Sequence, residues 1–320
     1  MSSMDFPIAG ENLIAGGWVE GLGPAWERRS PSDGALLWAG SWASREQSLE
    51  AVSGARNAFV SWSDTNLEDR IAICRRFAEL LNQRKDELAR LIALENGKPF
   101  WEAQTEVAAS IAKVENSIDS ILQRRWTDTQ ALGDYRAVTR FRPHGVMFVI
   151  GPFNFPAHVP GGHIIPALLA GNTVIFKPSE LVSGCGQWLC RLWQQAGIPE
   201  GVLSLVHGAG EVGSALVSCL DVDGVLFTGS QEVGTLIHKQ MAGQPHRVLA
   251  LEMGGNNPLV VHGAADYAAA AKTTILSAYL TAGQRCTCTR RLIVSGRTSF
   301  EAMLRELRKR IPKIQTGLSL

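Results

Sequence analysis

Val146-Met147-Phe148-Val149-Ile150-Gly151-Pro152-Phe153-Asn154-Phe155-Pro156 is the stretch on which the fold turns. Its first five residues are apolar without interruption, three of them β-branched, and the Gly-Pro that follows ends the run. A strand with one wet face alternates apolar and polar residues; a strand that does not alternate is covered on both faces. The same composition recurs at Thr173–Phe176, Val202–Val206, Val225–Phe227, Val248–Leu251 and Leu259–Val261, with helix-like stretches between most of them. Short, charge-poor strands alternating with helices predict an α/β fold with a doubly wound parallel sheet. The ligand crevice of such a sheet lies beyond the C-terminal ends of its strands.

Upstream the signals are helical. Gly, Pro and Trp crowd the first forty residues, which read as short strands and turns. Ser44 and Gln47 have capping-box spacing for a helix reaching about Trp62. From near Asn66, Leu67, Ile71, Cys74, Ala78, Leu81, Leu88 and Ile92 recur at helical spacing until Asn96-Gly97-Lys98-Pro99 stops the run. A third helix, about Trp101 to Arg125, buries Ile111, Val114, Ile118 and Ile121. Tyr135 to Arg142 then alternates, with Arg136, Arg140 and Arg142 on one side, as a half-exposed strand does. Those arginines read as a solvated face.

Bulk properties exclude several classes. The chain has 320 residues, enough for a large core and more than one domain, and 45% of them are hydrophobic. With 31 basic against 30 acidic residues, no field draws it to nucleic acid or to an anionic membrane. No apolar run is long enough to span a bilayer, and no secretory signal is visible. The six cysteines show neither zinc-ligand spacing nor a disulfide framework, which fits reduced thiols and a cytoplasmic location.

Two stretches carry side chains suited to covalent catalysis. Thr281-Ala282-Gly283-Gln284-Arg285-Cys286-Thr287-Cys288 sets a thiol near a glycine. Leu251-Glu252-Met253-Gly254-Gly255-Asn256-Asn257-Pro258 sets a carboxylate after a strand-like run. A thiolate attacks a carbonyl carbon, and a carboxylate takes a proton from water, so the pair suits a thioester that is formed and then hydrolysed. Cys74, Cys185, Cys190 and Cys219 read as small buried apolar groups, and Cys288 as structural. None of the seven histidines is assigned to catalysis; His163, like the rest, reads as a packed or capping residue.

Two glycine loops compete for a phosphate. Gly208-Ala209-Gly210-Glu211-Val212-Gly213 matches GxGxxG between a strand and a helix, without the acidic residue expected some way beyond it. Phe227-Thr228-Gly229-Ser230-Gln231-Glu232-Val233-Gly234 also lies at a strand-to-helix turn, where backbone amides and Ser230 can hold a pyrophosphate. A tight βα turn explains either set of glycines equally well. Lys177-Pro178-Ser179-Glu180 adds a carboxylate at a strand end, placed to accept from ribose hydroxyls and to repel a 2′-phosphate, which favours NAD over NADP.

Pro152–Pro156, Lys177–Glu180, Phe227–Gly234, Leu251–Pro258 and Gly283–Cys286, in that order, make the chain resemble the aldehyde dehydrogenase superfamily from its start to about residue 310. The resemblance implies a doubly wound, Rossmann-type NAD-binding domain over residues 1–251, with an oligomerisation strand insert at about 126–143. It implies an α/β catalytic domain that begins at 252 and is incomplete at 320, with the nicotinamide-ribose segment and a terminal strand expected beyond. Apolar surface and unpaired sheet edges are therefore expected in that second part. By position, Cys286 is the nucleophile, Glu252 the base, and Asn154 the oxyanion donor together with the Cys286 amide. Lys177 and Glu180 hold the adenosine ribose, and Gly229, Ser230, Gln231, Glu232, Val233 and Gly234 the pyrophosphate; Gly208–Gly213 is left as a turn that lines the adenine. The implied partners are a small-molecule aldehyde and, for the full-length enzyme, further copies of itself. Within the superfamily the chain looks most like a branch acting on an acidic semialdehyde, for which Arg285 is a candidate anchor. Another aldehyde, or a chain that binds nucleotide without turnover, stays open.

Overall fold

The computed structural model describes residues 5–125 and 127–320; residues 1–4, and Trp126 at the edge of the expected insert, lie outside the described residues. Five short strands come first: β1 (Ile8–Ala9), β2 (Asn12–Ile14), β3 (Gly17–Val19), β4 (Ala25–Arg29) and β5 (Leu36–Ser41). Helices α1 (Arg45–Asp64), α2 (Leu67–Gln83), α3 (Lys85–Asn96) and α4 (Phe100–Arg124) follow, then a hairpin of β6 (Asp128–Leu132) and β7 (Tyr135–Thr139). The α/β part runs β8 (Val146–Ile150), α5 (His158–Leu169), β9 (Thr173–Lys177), α6 (Ser183–Gln195), β10 (Leu203–Leu205), α7 (Gly210–Ser218), β11 (Gly224–Gly229), α8 (Gln231–Met241) and β12 (Val248–Met253). Last come β13 (Asn257–Val261), α9 (Tyr267–Tyr279), β14 (Thr289–Val294) and α10 (Arg297–Arg310).

The main sheet has the order β12-β11-β8-β9-β10-β2-β3. Its strands β8 to β12 are parallel, and the β2–β3 hairpin extends it in antiparallel sense through β10. The lack of alternation in β8 has the expected cause. Met147 and Val149 enter one core with residues of α2 to α6, while Val146, Phe148 and Ile150 enter a second core with α1, α7 and α8. Val174 and Phe176 against Ile175 divide in the same way along β9. Both faces are covered, as a doubly wound sheet requires. Chain order runs outward from β8 through β9 to β10, then returns to β11 on the other side of β8. That reversal opens a crevice beyond Ile150 and Gly229.

Three expectations change. The helix expected to run unbroken from Asn66 to Asn96 is two helices, because Arg84 leaves helical geometry (φ −115°, ψ 22°). Its guanidinium pairs with Glu87 and lies over the Trp188 ring, so the bend is fixed by long side chains rather than by Gly or Pro. Leu259–Val261 does not join the main sheet; β13 pairs in parallel with β14, and α9 and α10 pack with them. Val260 (62% exposed) and Ile293 (47% exposed) stand on the uncovered side, in line with the apolar surface anticipated there. Finally, Tyr135 to Thr139 is exposed on both faces rather than one, and it pairs with Asp128–Leu132. The capping box at Ser44 and Gln47 forms as read.

Gly145 enters β8 at φ +137°, a conformation that disfavours side chains. A β-carbon there would sit 1.9 Å from Asp223 Oδ2, the oxygen that accepts from Val146 N at 2.7 Å and from Arg56 at 2.6 Å. Gly145→Ala is therefore expected to destabilise the fold by about 2–4 kcal/mol, combining backbone strain with overpacking. Urea unfolding checks this; a midpoint equal to the parent's would contradict it.

Candidate active site

Beyond β8 the chain crosses to α5 through the loop that holds Asn154. The loop is anchored from below by a fully buried ion pair, Lys98 Nζ to Glu106 Oε2 at 2.7 Å, with both side chains 0% exposed. Lys98 also donates to the Asn154 carbonyl at 2.6 Å and lies 4.2 Å from the centre of the Phe155 ring. The other Glu106 oxygen accepts from Ala157 N (2.9 Å) and His158 N (3.3 Å), two amides at the start of α5 that lack helical partners. Burial pushes the Glu106 carboxyl up, opposed by the Lys98 ammonium and these amides. The Asn154 side chain donates from Nδ2 to Gln284 O at 2.6 Å. An amide has two N–H groups, so a second remains for another acceptor.

Gln284 belongs to the loop of the expected nucleophile. Thr281 and Ala282 take positive φ (60° and 52°), which costs non-glycine residues of order 1–3 kcal/mol each. The surrounding contacts hold them there. Thr281 Oγ1 donates to the buried Glu102 at 2.6 Å and accepts from Arg285 Nε at 2.7 Å. Gln284 Nε2 reaches Asn96 O at 3.1 Å. On the far side Asn257 Nδ2 donates to Cys286 O (2.6 Å) and Cys288 O (3.1 Å). Cys286 is exposed, whereas Cys74, Cys185, Cys190 and Cys288 are buried and Cys219 is half-buried. Arg285 is turned inward, 3.7 Å from Glu102 and over Phe155, which engages its guanidinium with the protein itself.

Glu252 lies exposed near the end of β12, in register with Thr228 of β11. Thr228 Oγ1 is 3.1 Å from His163 Nε2. Burial lowers the affinity of His163 for a proton, against the pull of Glu252, and Lys113 lowers it further. His163 is thus the strand neighbour's partner as well as a packed residue. The sites converge through short links: Asn154 joins the Cys286 loop at Gln284, and the segment after Glu252 joins it at Asn257.

The loops expected to hold a nucleotide lie at the ends of β9, β10 and β11. Lys177 is buried, with Nζ on Pro178 O (2.9 Å) and Gly208 O (2.7 Å), so the turn after β9 and the Gly208 loop after β10 meet at one ammonium. Burial brings its pKa down to about 8, opposed by Glu180. Glu180 is half-buried beside Ser179. Ser230 caps α8 by accepting from Val233 N at 3.2 Å, which commits its hydroxyl to the helix. The amides of Gln231 and Glu232, the first of α8, have no partner among the described residues and suit a phosphate. Gly234 is required for packing: a β-carbon there would meet Met253 Sδ at 2.5 Å. At Gly208 a β-carbon would clash with Val212 of its own turn, at 2.4 Å, which accounts for a glycine without a phosphate.

Lys98, Glu102, Glu106 and Asn257 have no place in the sequence reading of the site. One signal for two of them was present. Stepping back by four from Val114 along the buried row of α4 gives Ser110, Glu106 and Glu102, and carboxylates in a core-facing row mark a structural or functional demand.

This geometry sets an exposed thiol beside the crevice of a doubly wound sheet. The chain matches the Aldehyde dehydrogenase family over residues 18–320 and belongs to it. It is 49% identical over 307 residues to the N-succinylglutamate 5-semialdehyde dehydrogenase of Paraburkholderia xenovorans (strain LB400), covering 96% of this chain and 63% of that protein. The chain thus spans about three-fifths of that relative's length. Among solved structures, a NAD-dependent aldehyde dehydrogenase from Sinorhizobium meliloti superposes with a TM-score of 0.91 at 31% identity, over 98% of this chain and 63% of that one. NADP-dependent glyceraldehyde-3-phosphate dehydrogenase from Bacillus halodurans C-125, complexed with NADP, gives 0.91 at 28%, over 98% and 66%.

Asn257 supplies two hydrogen bonds to the Cys286 loop, each worth about 0.5–1.5 kcal/mol. Asn257→Ala is expected to raise amide hydrogen exchange across residues 284–288 by about tenfold. Unchanged exchange in that segment would show that the loop does not depend on Asn257.

Proposed function

We propose that this chain provides the cofactor-binding part and the nucleophile of an NAD-dependent dehydrogenase that oxidises N-succinyl-L-glutamate 5-semialdehyde to N-succinyl-L-glutamate, in cytoplasmic arginine breakdown by the succinyltransferase route. The observation that carries this reading is the hydrogen bond from Asn154 to Gln284, which sets an amide donor beside the one exposed thiol among the described residues. Its likeness to the N-succinylglutamate 5-semialdehyde dehydrogenase of Paraburkholderia xenovorans supports the choice of substrate. We assign residues 1–251 to cofactor binding and residues from 252 onward to catalysis. The exposed β6–β7 hairpin is the surface we assign to pairing with further copies.

In this mechanism Cys286, as thiolate, adds to the aldehyde carbon and gives a thiohemiacetal. The developing oxyanion accepts from the free N–H of Asn154 and from the Cys286 amide. NAD, when bound, supplies the acceptor for the hydride that leaves this carbon. Loss of the hydride turns the adduct into a thioester on Cys286. Glu252 takes a proton from water, whose oxygen attacks the thioester; the acid leaves and the thiolate returns. The chain's own residues fit the nucleotide: two open amides at α8, a glycine that lets α8 lie close to β12, and a lysine with one donor unspent. The Glu180 carboxylate favours a ribose bearing a free 2′-hydroxyl, hence NAD.

Cys286→Ser is expected to lower NADH formation from the semialdehyde at least about a thousandfold. Glu252→Gln is expected to leave a single fast burst and stop, because the thioester forms but is not hydrolysed. Absorbance at the NADH band in a stopped-flow instrument checks both. A Cys286→Ser protein as fast as the parent would remove the proposal; a burst lacking in both parent and variant would remove the role of Glu252.

Lys177 adds a pH dependence. Its folded pKa, about 8, lies below the unfolded value of about 10.4, so the buried ammonium costs stability below pH 8. That cost fades as pH rises from 8 toward the unfolded value, while the amine loses a donor. NAD affinity is therefore expected to weaken several-fold between pH 7 and 9, and Lys177→Met to flatten the dependence. Calorimetric titration with NAD across that range checks this; a parent whose affinity is level across it contradicts the role given to Lys177.

A further inference from the structure

Glu102 and Glu106 lie four residues apart on α4, both buried, so they sit on one face separated by about 6 Å along the axis. Each faces a different loop. Glu106, with Lys98, holds the Asn154 carbonyl and the amides of Ala157 and His158. Glu102 accepts from Thr281 and faces Arg285, in the turn that leads to Cys286. One rigid helix therefore touches both the loop of the oxyanion donor and the loop of the nucleophile. We propose that Glu102 and the Lys98–Glu106 pair are positioning residues, and that α4 is the ruler that sets the separation between the Asn154 amide and the Cys286 thiol. The inference rests on the thiol and amide roles proposed above.

The energetics favour position over stability. Desolvating an ammonium and a carboxylate offsets most of their attraction, and apolar residues in their place are often as stable. What the pair supplies instead is direction: a carbonyl on one side of Phe155 and two amides on the other are fixed to a single charged couple. The Cys286 side has the same need. Thr281 and Ala282 keep positive φ only while their surroundings over-determine them, and Glu102 is the buried acceptor in those surroundings.

The double variant Lys98→Met/Glu106→Leu removes both charges and leaves no lone ion in the core. Two reactions of Cys286 need no cofactor and are followed by mass spectrometry at that residue. Alkylation by iodoacetamide is a displacement in which no oxyanion develops; acylation by p-nitrophenyl acetate passes through a tetrahedral oxyanion. The double variant is expected to acylate about 10–100-fold more slowly while alkylating within about twofold of the parent. Acylation at the parent's rate overturns the proposal, and so do equal losses in both reactions, which mark damage to the thiol itself. Glu102→Gln is the milder second variant, keeping an acceptor for Thr281 while releasing Arg285. Because the nucleophile's own loop loosens, both of its reactions are expected to slow about fivefold or more. Two unchanged rates there overturn the proposal even if the double variant does not fold. A parent that reacts with neither reagent at Cys286 overturns the nucleophile reading first, and the ruler with it.

Discussion

The hydrogen bond from Asn154 to Gln284 joins two loops 130 residues apart in sequence, the ones to which we assign the oxyanion donor and the nucleophile, and the rest of the structure keeps those loops within its reach. Loops by themselves do not hold such a distance. The rigidity comes from β8, whose five residues are all buried and divide alternately between two cores. A strand locked on both faces cannot slip by one residue without exchanging its two apolar sets, so the point where it ends is fixed. Asn154 leaves from that point. The reversal of strand order beside β8 brings β11 alongside, and β12 after it, and the segment that follows Glu252 joins the Cys286 loop through Asn257.

Much of this was legible because burial writes itself into composition. The five parallel strands could be found from charge-free runs, and the capping box at Ser44 from two residues at the right spacing. Cys286 stood apart from five other cysteines by its place in Gly283–Cys286, by its pairing with Glu252 and by the helical settings of most of the rest, and it is the exposed one. The failures have physical causes. The break at Arg84 carries no Gly or Pro, and the apolar spacing from Leu81 to Leu88 passes across it unaltered. Leu259–Val261 has the composition of its predecessors, but composition does not say which sheet a strand enters. Tyr135–Thr139 alternates as a half-buried strand does, yet both its faces are exposed in this chain.

The glycines show why a motif needs its surroundings. Gly208 to Gly213 satisfies the written pattern better than Gly229 to Gly234, and sequence alone offered a turn as an equal account of both. In three dimensions Gly208 is small because Val212 of its own turn presses on it. Gly234 is small because Met253, of a neighbouring strand, does. The second kind of contact draws a helix N-terminus down onto the sheet, where we assign its two open amides to the pyrophosphate; the first only tightens a corner. Spacing is blind to that difference, since it records which residues are glycine and not what excludes a side chain.

Two buried lysines complete the same edge, and their similarity has a reason. Lys98 turns the Asn154 carbonyl inward, and Lys177 does so for Pro178 and Gly208, pinning the loops after β8, β9 and β10. An ammonium is a compact charge with three donors that rotate to suit, so it can gather carbonyls from separate loops without demanding the planar fork of a guanidinium. The two differ in their partners. Lys98 has a carboxylate at 2.7 Å and belongs to a closed couple, whereas Lys177 has only carbonyls in direct contact and its pKa falls to about 8. In the closed couple each charge has its partner at hydrogen-bond distance. The open one lies between the turns after β9 and β10, on the side of the crevice that we assign to the nucleotide.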